Sequence, residues 1–150
     1  MARLMFVGSS GGHLAQMLGM RAWWAEHERS WVTFDTPDAL SALEGEKTYW
    51  AYHPTTRNPY NALRNLALSV KVLRAERPDV VVSTGAGVAF PFFITARLLR
   101  IPTVYVEVYD RIDTRTLTGR LCRPLSSLFC VQWEEQLASY HDAHVIGPLL

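Results

Sequence analysis

The β-branched segment Val80-Val81-Val82 constrains the fold of this chain more than any other stretch of its sequence. Its apolar residues are continuous instead of alternating, which is typical of a strand buried on both faces of a parallel sheet. The turn Ser83-Thr84-Gly85-Ala86-Gly87 follows directly, and an apolar segment then continues to about Arg100. Because Pro91 lies near the start of that segment, where helices accept proline, we predict a strand, a glycine turn and a helix in succession.

The same order of elements recurs along the chain. An apolar run over residues 4–7 ends at a glycine-rich loop, and a helix is predicted from His13 to about His27. Further strands are predicted at 31–34, 48–52, 101–107, 128–131 and 144–146, and further helices after Pro59 and at 116–122. Repeated strand–helix–strand units predict an α/β fold, a Rossmann-like parallel sheet with helices on both faces.

The helix after Pro59 has apolar residues at helical spacing, which predicts one apolar face. These residues are Leu63, Leu66, Ala67, Val70 and Leu73.

Length and composition fit one globular domain. The 150 residues are 49% hydrophobic and carry two cysteines, too few for a disulfide scaffold, so we expect a reduced, cytoplasmic compartment. No linker or repeat divides the chain, and residues 1–150 are interpreted as a single domain. The longest uncharged stretch, 80–96, is interrupted by a glycine turn and by Pro91, and spanning a bilayer takes about 20 apolar residues. We therefore expect no membrane crossing.

The charge of the chain is unevenly distributed. The formal net charge is +1, which gives no reason to expect a nucleic-acid partner. Residues 57–123, however, hold 11 of the 15 basic side chains and five acidic ones, a balance of +6. This excess is explained either by solvated helix faces or by a surface that meets phosphates or anionic lipid headgroups.

In parallel sheets, ligands bind beyond the carboxyl ends of the strands. The first such end here is Gly8-Ser9-Ser10-Gly11-Gly12-His13. Its glycines allow backbone N–H groups to approach an anion, but it matches neither the dinucleotide fingerprint nor a Walker loop. The loop therefore predicts a site for an anion or polar ligand, with a tight structural turn as the alternative.

Two further strand ends carry candidate functional residues. Thr84, Gly85 and Gly87 form a second loop that suits either ligand binding or the start of a helix. Glu107 follows the strand at 101–107 and is a candidate general base, or alternatively the ion-pair partner of Arg111 or Arg115.

No metal site is predicted. His141 and His144 form the only histidine pair with ligand-like spacing, and they fit a surface turn better than a metal site.

These motifs together resemble the acceptor half of MurG-type glycosyltransferases. The Gly8–His13 loop resembles that family's first glycine loop, and Ser83-Thr84-Gly85-Ala86-Gly87 followed by Ile101-Pro102 resembles its second loop and Ile-Pro strand. Glu107 occupies the place of the family's acid, although Tyr105-Val106 and Val108-Tyr109 replace the His, Gln and Asn that flank it. Thr116-Leu117-Thr118-Gly119-Arg120-Leu121 is similar to the family's Leu-Thr-Asn-Arg-Leu helix.

The resemblance covers nearly all of the chain but only the N-terminal half of a two-domain GT-B enzyme. A free-standing half of this kind is similar to PssD/CpsF-type polysaccharide subunits and to the membrane-recruiting subunit of the dolichol-pathway UDP-N-acetylglucosamine transferase. It implies an acceptor-binding subunit of a two-component glycosyltransferase. That subunit binds a polyprenyl-diphosphate-linked sugar and recruits a UDP-sugar-binding partner, which resembles the C-terminal GT-B half, to the membrane.

The resemblance also implies places and roles for individual residues. The acceptor would be held by Ser9, Ser10, Gly11, Gly12, Thr84, Gly85 and Gly87. His13 and Glu107 would act as base or orienting group, and we prefer His13 as the base because a neutral imidazole accepts a proton near pH 7. No cofactor or metal is implied. The expected location is cytoplasmic, peripheral on the inner face of the cell membrane, with contact to its anionic surface.

Two alternatives remain open from the sequence: a self-sufficient small nucleotide-sugar enzyme, and a non-catalytic scaffold that only recruits a partner. The apolar segment Gly147-Pro148-Leu149-Leu150 is predicted to be the partner interface, with packing onto its own domain as the alternative.

Overall fold

The computed structural model describes residues 1–110 and 114–149. Seven strands form one sheet in the order β3-β2-β1-β4-β5-β6-β7, and every neighbouring pair is parallel. The strands are β1 (Arg3–Gly8), β2 (Glu28–Thr33), β3 (Thr48–Trp50), β4 (Val80–Gly85), β5 (Thr103–Val106), β6 (Leu128–Val131) and β7 (His144–Val145). The helices are α1 (Gly12–Leu18), α2 (Arg21–Trp24), α3 (Pro37–Ala42), α4 (Pro59–Glu76), α5 (Ala89–Leu98) and α6 (Leu117–Cys122). The predicted fold class is confirmed.

The strand order reverses direction at β1, because β2 lies on one side of it and β4 on the other. Such a switch point opens a crevice between the loops that leave the two central strands. Here those loops are the two glycine-rich turns of the sequence, so the fold brings them side by side.

Adjacent residues of β4 face opposite sides of the sheet, as its continuous apolar sequence predicts. Val81 packs into a core with Phe92, Phe93 and Tyr105, whereas Val82 packs into a second core with Trp24 and Trp31 on the other face. Both valines have no solvent exposure. The sheet is therefore covered on both faces.

Several predicted boundaries are wrong. The helix expected over 13–27 is interrupted, because α1 ends at Leu18 and α2 begins at Arg21. Gly19 lies at this break, and glycine is a poor helix former. The helix α3 was not predicted, although Pro37 supplies the proline that helices favour in their first turn.

The predicted apolar face of α4 is only partly buried. Leu73 lies in the core and Leu66 and Val70 are half-buried, but Leu63 is 67% exposed and Ala67 is exposed as well. Besides Val72 and Leu73, the helix buries the polar residues Asn61, Asn65 and Ser69. Polar side chains can be buried when their hydrogen bonds are satisfied. The two asparagines bond the backbone of the preceding loop, and Ser69 lies 2.6 Å from the hydroxyl of Thr95 on α5.

Among the helices described for residues 1–110 and 114–149, none is both long and apolar enough to cross a membrane.

Candidate functional site

A cleft of about 510 Å³ lies at the switch point, above the carboxyl ends of the central strands. It is lined by Ser9, His13, Phe34, His53, Pro54, Thr55, Thr56, Ala86, Gly87 and Thr118. Imidazole rings and hydroxyl groups dominate this surface, and none of the described lining residues is acidic. The cleft is therefore suited to a polar or anionic ligand.

His13 is fixed in the cleft by a reciprocal contact with β4. Its Nδ1 lies 3.0 Å from the carbonyl oxygen of Thr84, and the Thr84 hydroxyl donates to the carbonyl oxygen of His13 at 2.8 Å. A carbonyl oxygen only accepts, so Nδ1 carries the proton. In the neutral ring the lone pair is then on Nε2, as a general base requires.

Burial lowers the pKa of His13 below its ordinary value of 6.5. The hydrogen bond to Thr84 and the negative charges of Glu107 and Asp110 oppose this effect but do not cancel it. The ring is consequently neutral near pH 7 and able to accept a proton.

Gly85 packs directly beneath the His13 ring. Its φ of +121° is disfavoured for other residues, and an added Cβ would lie 2.8 Å from the Tyr105 hydroxyl and 3.0 Å from Cε1 of His13. Thr84 and Gly85 are buried, so among the predicted acceptor residues these two support the cleft from below.

The first glycine loop reaches the cleft through Ser9 and His13. Ser10, Gly11 and Gly12 are not among its lining residues, and the N–H of Gly11 donates to the Asp38 carboxylate at 2.9 Å. Hydrogen bonds from Thr36 and Gly11 lower the pKa of Asp38. The Gly11 N–H, which was expected to approach an anionic ligand, thus already binds the carboxylate of Asp38.

Glu107 is fully buried and does not line the cleft. Its carboxylate accepts hydrogen bonds from the Tyr140 hydroxyl at 2.5 Å, the Thr116 hydroxyl at 3.0 Å and the Val108 N–H at 3.1 Å. Of the two predicted ion-pair partners, Arg111 lies outside the described residues, and no ion pair joins Arg115 to Glu107. This geometry favours a positioning role, which ties the end of β5 to the start of α6.

Four polar cleft residues were not predicted from the sequence: His53, Thr55, Thr56 and Thr118. His53 comes directly after the strand predicted at 48–52, so the strand-end argument applied to the glycine loops would have identified it. Thr118 lies in the segment that resembles the family's Arg-containing helix. Within the described residues, no group of three or more His, Cys, Asp or Glu is arranged to hold a metal ion.

The C-terminal segment returns to its own domain. The N–H of Leu149 donates to Oε1 of the buried Gln132 at 3.0 Å, and its carbonyl oxygen packs against the backbone of Gly19. Gly147 and Leu149 are half-buried and Pro148 is exposed, while Leu150 lies outside the described residues.

The fold and its switch-point cleft define a Rossmann-like half of a GT-B structure. The chain superimposes on MurG of Acinetobacter baumannii with a TM-score of 0.81 and 18% identity, covering 100% of this chain and 46% of that one. It is also similar to a UDP-GlcNAc 2-epimerase of Methanocaldococcus jannaschii, with a TM-score of 0.76 and 17% identity over 97% of this chain and 46% of the epimerase. The chain thus spans less than half the length of these solved structures.

The chain belongs to the family described as oligosaccharide biosynthesis protein Alg14 like, which matches residues 52–149. It is 26% identical to the mouse UDP-N-acetylglucosamine transferase subunit ALG14 over 180 residues, covering 99% of this chain and 83% of the mouse protein. It is 35% identical over 85 residues to a Clostridium botulinum UDP-N-acetylglucosamine–N-acetylmuramyl-(pentapeptide) pyrophosphoryl-undecaprenol N-acetylglucosamine transferase. That match covers 57% of this chain and 23% of the bacterial enzyme.

Proposed function

We propose that this chain is the acceptor-binding subunit of a two-component glycosyltransferase. It binds a polyprenyl-diphosphate-linked sugar in the switch-point cleft and recruits a UDP-sugar-binding subunit with the other GT-B half. Residues 1–150 form the single acceptor-binding domain. The curated relatives carry the name of UDP-N-acetylglucosamine transferase subunits, which supports membership in such a complex.

The observation that carries the proposal is the geometry of His13. Nδ1 bonds the Thr84 carbonyl, Nε2 retains its lone pair, and burial keeps the ring neutral near pH 7. In glycosyl transfer the attacking acceptor hydroxyl loses a proton, and a positioned base assists that step. We assign the binding of the leaving nucleotide diphosphate to the partner subunit, because the sequence of this chain has no motif suited to uridine.

We place the subunit on the cytoplasmic side, peripheral on the inner face of the cell membrane, in polysaccharide synthesis of the PssD/CpsF type. A surface on α4 supports peripheral contact. Tyr60 and Leu63 are more than 60% exposed there, and the exposed cations Arg64, Lys71 and Arg74 follow them along the same helix. A helix that exposes both apolar and basic side chains suits the interface of an anionic bilayer.

The experiment is reconstitution of sugar transfer. The chain is co-purified with a subunit that matches the other GT-B half, and transfer from UDP-GlcNAc to a short polyprenyl-diphosphate sugar is measured. We expect turnover from the pair and none from either subunit alone. Calorimetry with UDP-GlcNAc should show weak or absent binding to this chain alone; low-micromolar affinity or turnover by the single chain would contradict the two-component proposal.

A further inference from the structure

The buried polar face of α4 holds the loop that follows β3. Asn65, which has no solvent exposure, accepts the N–H of Tyr52 at 2.9 Å and donates to its carbonyl oxygen at 3.0 Å. Asn61 donates to the carbonyl oxygen of Pro54 at 2.8 Å. These three hydrogen bonds fix the backbone on both sides of His53.

The His53 ring is itself oriented. Its Nε2 lies 2.8 Å from Oδ1 of Asp35, and its ring centroid lies 5.0 Å from that of Phe34. A carboxylate in its ionised form only accepts, so Nε2 carries a proton. This hydrogen bond also lowers the pKa of Asp35. Within the described part of the chain, Nδ1 of His53 has no hydrogen-bond partner.

The same loop packs against the second glycine turn. A Cβ added at Gly87 would lie 2.8 Å from the Thr55 hydroxyl. His53, Thr55 and Thr56 therefore face the same cleft as Ser9 and His13. The imidazole of His53 and the hydroxyls of Thr55 and Thr56 thus form one wall of the cleft. None of the described lining residues carries a carboxylate.

We propose that His53 is an anion-binding residue of the cleft and contacts the diphosphate of the acceptor, with Asp35, Asn61 and Asn65 as its positioning residues. This inference rests on the proposed function and names one residue that would contact the acceptor substrate. A ring that is protonated on both nitrogens donates through Nδ1 to a phosphate oxygen in a charge-assisted hydrogen bond. The two imidazoles then have different tasks: His13 stays neutral to accept a proton, and His53 holds the anion.

The test measures binding of inorganic pyrophosphate to the full chain by calorimetry, with histidine Cε1–H signals followed by NMR. We expect the His53 signal to shift on binding. His53→Ala should weaken affinity about ten- to hundredfold, the loss expected for one hydrogen bond to a charged group. Asp35→Asn and Asn65→Ala should weaken it less, with the His53 signal displaced before any ligand is added. His141→Ala, an exposed histidine outside the cleft, is the matched control and should bind as the wild type does.

A diphosphate occurs in both the acceptor and the nucleotide sugar, so two further arms distinguish them. A farnesyl-diphosphate-linked GlcNAc should bind more tightly than UDP, and His53→Ala should weaken it by the same factor as pyrophosphate. Tighter binding of UDP would keep the His53 contact but contradict the proposed acceptor site. Unchanged pyrophosphate affinity in a folded His53→Ala or His53→Asn variant overturns the inference about His53. It does not contradict the proposed function, which the transfer assay tests separately. A wild-type chain that does not bind pyrophosphate overturns it as well.

Discussion

The side-chain amide of Gln132 donates through Nε2 to Oε1 of Gln16 at 2.5 Å, and both side chains are buried. The other end of the Gln132 amide accepts the N–H of Leu149. Gln16 lies in α1 and donates to the carbonyl oxygen of Gly12 at 3.4 Å. One glutamine therefore links the C-terminal segment to the helix that carries His13.

Deletion of residues 147–150 is expected to abolish co-purification with the partner subunit, because we propose this segment as the partner interface. The free energy of unfolding should fall by only about 1 kcal/mol, since the deletion removes the hydrogen bond from Leu149 to Gln132 and lets water replace it. Pull-down yield and thermal denaturation measure the two effects.

Two single substitutions accompany this deletion. A Cβ at Gly19 would overlap the Leu149 carbonyl oxygen, so Gly19→Ala displaces the segment while retaining its sequence and should also reduce co-purification. Glu44→Gln, on an exposed turn before β3, is the control and should leave it unchanged. A truncated chain that captures its partner at full yield, or one that unfolds, would reject the interface.

His13→Gln is expected to lower transfer by the reconstituted pair about 10²–10⁴-fold, the usual contribution of a general base. The wild-type rate should fall as the pH drops through the pKa of His13, which burial places below 6.5, because protonation of Nε2 removes the base. At pH 7 and above the neutral ring predominates, so His13 should cause no further increase in the transfer rate. The pH–rate profile of the variant should lack this acidic limb; a limb that persists would assign it to another group.

Much of the fold was predictable because several strands are followed by residues that favour turns, such as glycine, proline and aspartate. The glycine turn after β4 and the unbroken valines before it specify a strand buried on both faces, and Val81 and Val82 occupy the two cores accordingly. The repeated strand–helix–strand units predict a parallel sheet but do not give the order of its strands. Which loops become neighbours depends on the reversal at β1, which is a tertiary property.

The errors at α4 and His53 have a common physical origin, because hydrophobic periodicity does not reveal where a polar side chain finds its partner. On α4 the asparagines bond the backbone of residues 52 and 54, so they are buried in place of Leu63. The strand-end argument points to the position of His53, but not to the orientation of its ring, which Asp35 sets from another loop. His13 was identified because it follows a glycine loop, and its tautomer required the contact with Thr84.

Glu107→Gln is expected to destabilise the chain as well as reduce transfer. The carboxylate accepts from Tyr140, Thr116 and Val108, and an amide would turn one –NH₂ group toward donors. A buried donor left unsatisfied costs about 1–3 kcal/mol. Chemical denaturation should therefore show a lower free energy of unfolding, while Glu134→Gln, an exposed acid, should not change it. Wild-type stability combined with strongly reduced transfer would instead favour direct catalysis by Glu107.

Binding to anionic vesicles is expected to depend on the α4 surface and on salt. Each exposed cation close to an anionic bilayer contributes about 1 kcal/mol, and this attraction is screened by added salt. Lys71→Gln or Arg74→Gln should each reduce partitioning about fivefold, and Leu63→Ser should reduce it further by removing an exposed apolar contact.

Flotation with vesicles of phosphatidylglycerol and phosphatidylcholine measures this partitioning. Arg21→Gln, an exposed cation on α2 outside the basic stretch, is the matched control because it changes the net charge equally. If it reduces flotation as much as Lys71→Gln, the attraction comes from net charge alone and the α4 surface is rejected. Partitioning that ignores both salt and lipid charge would assign the membrane contact to apolar residues or to the partner subunit.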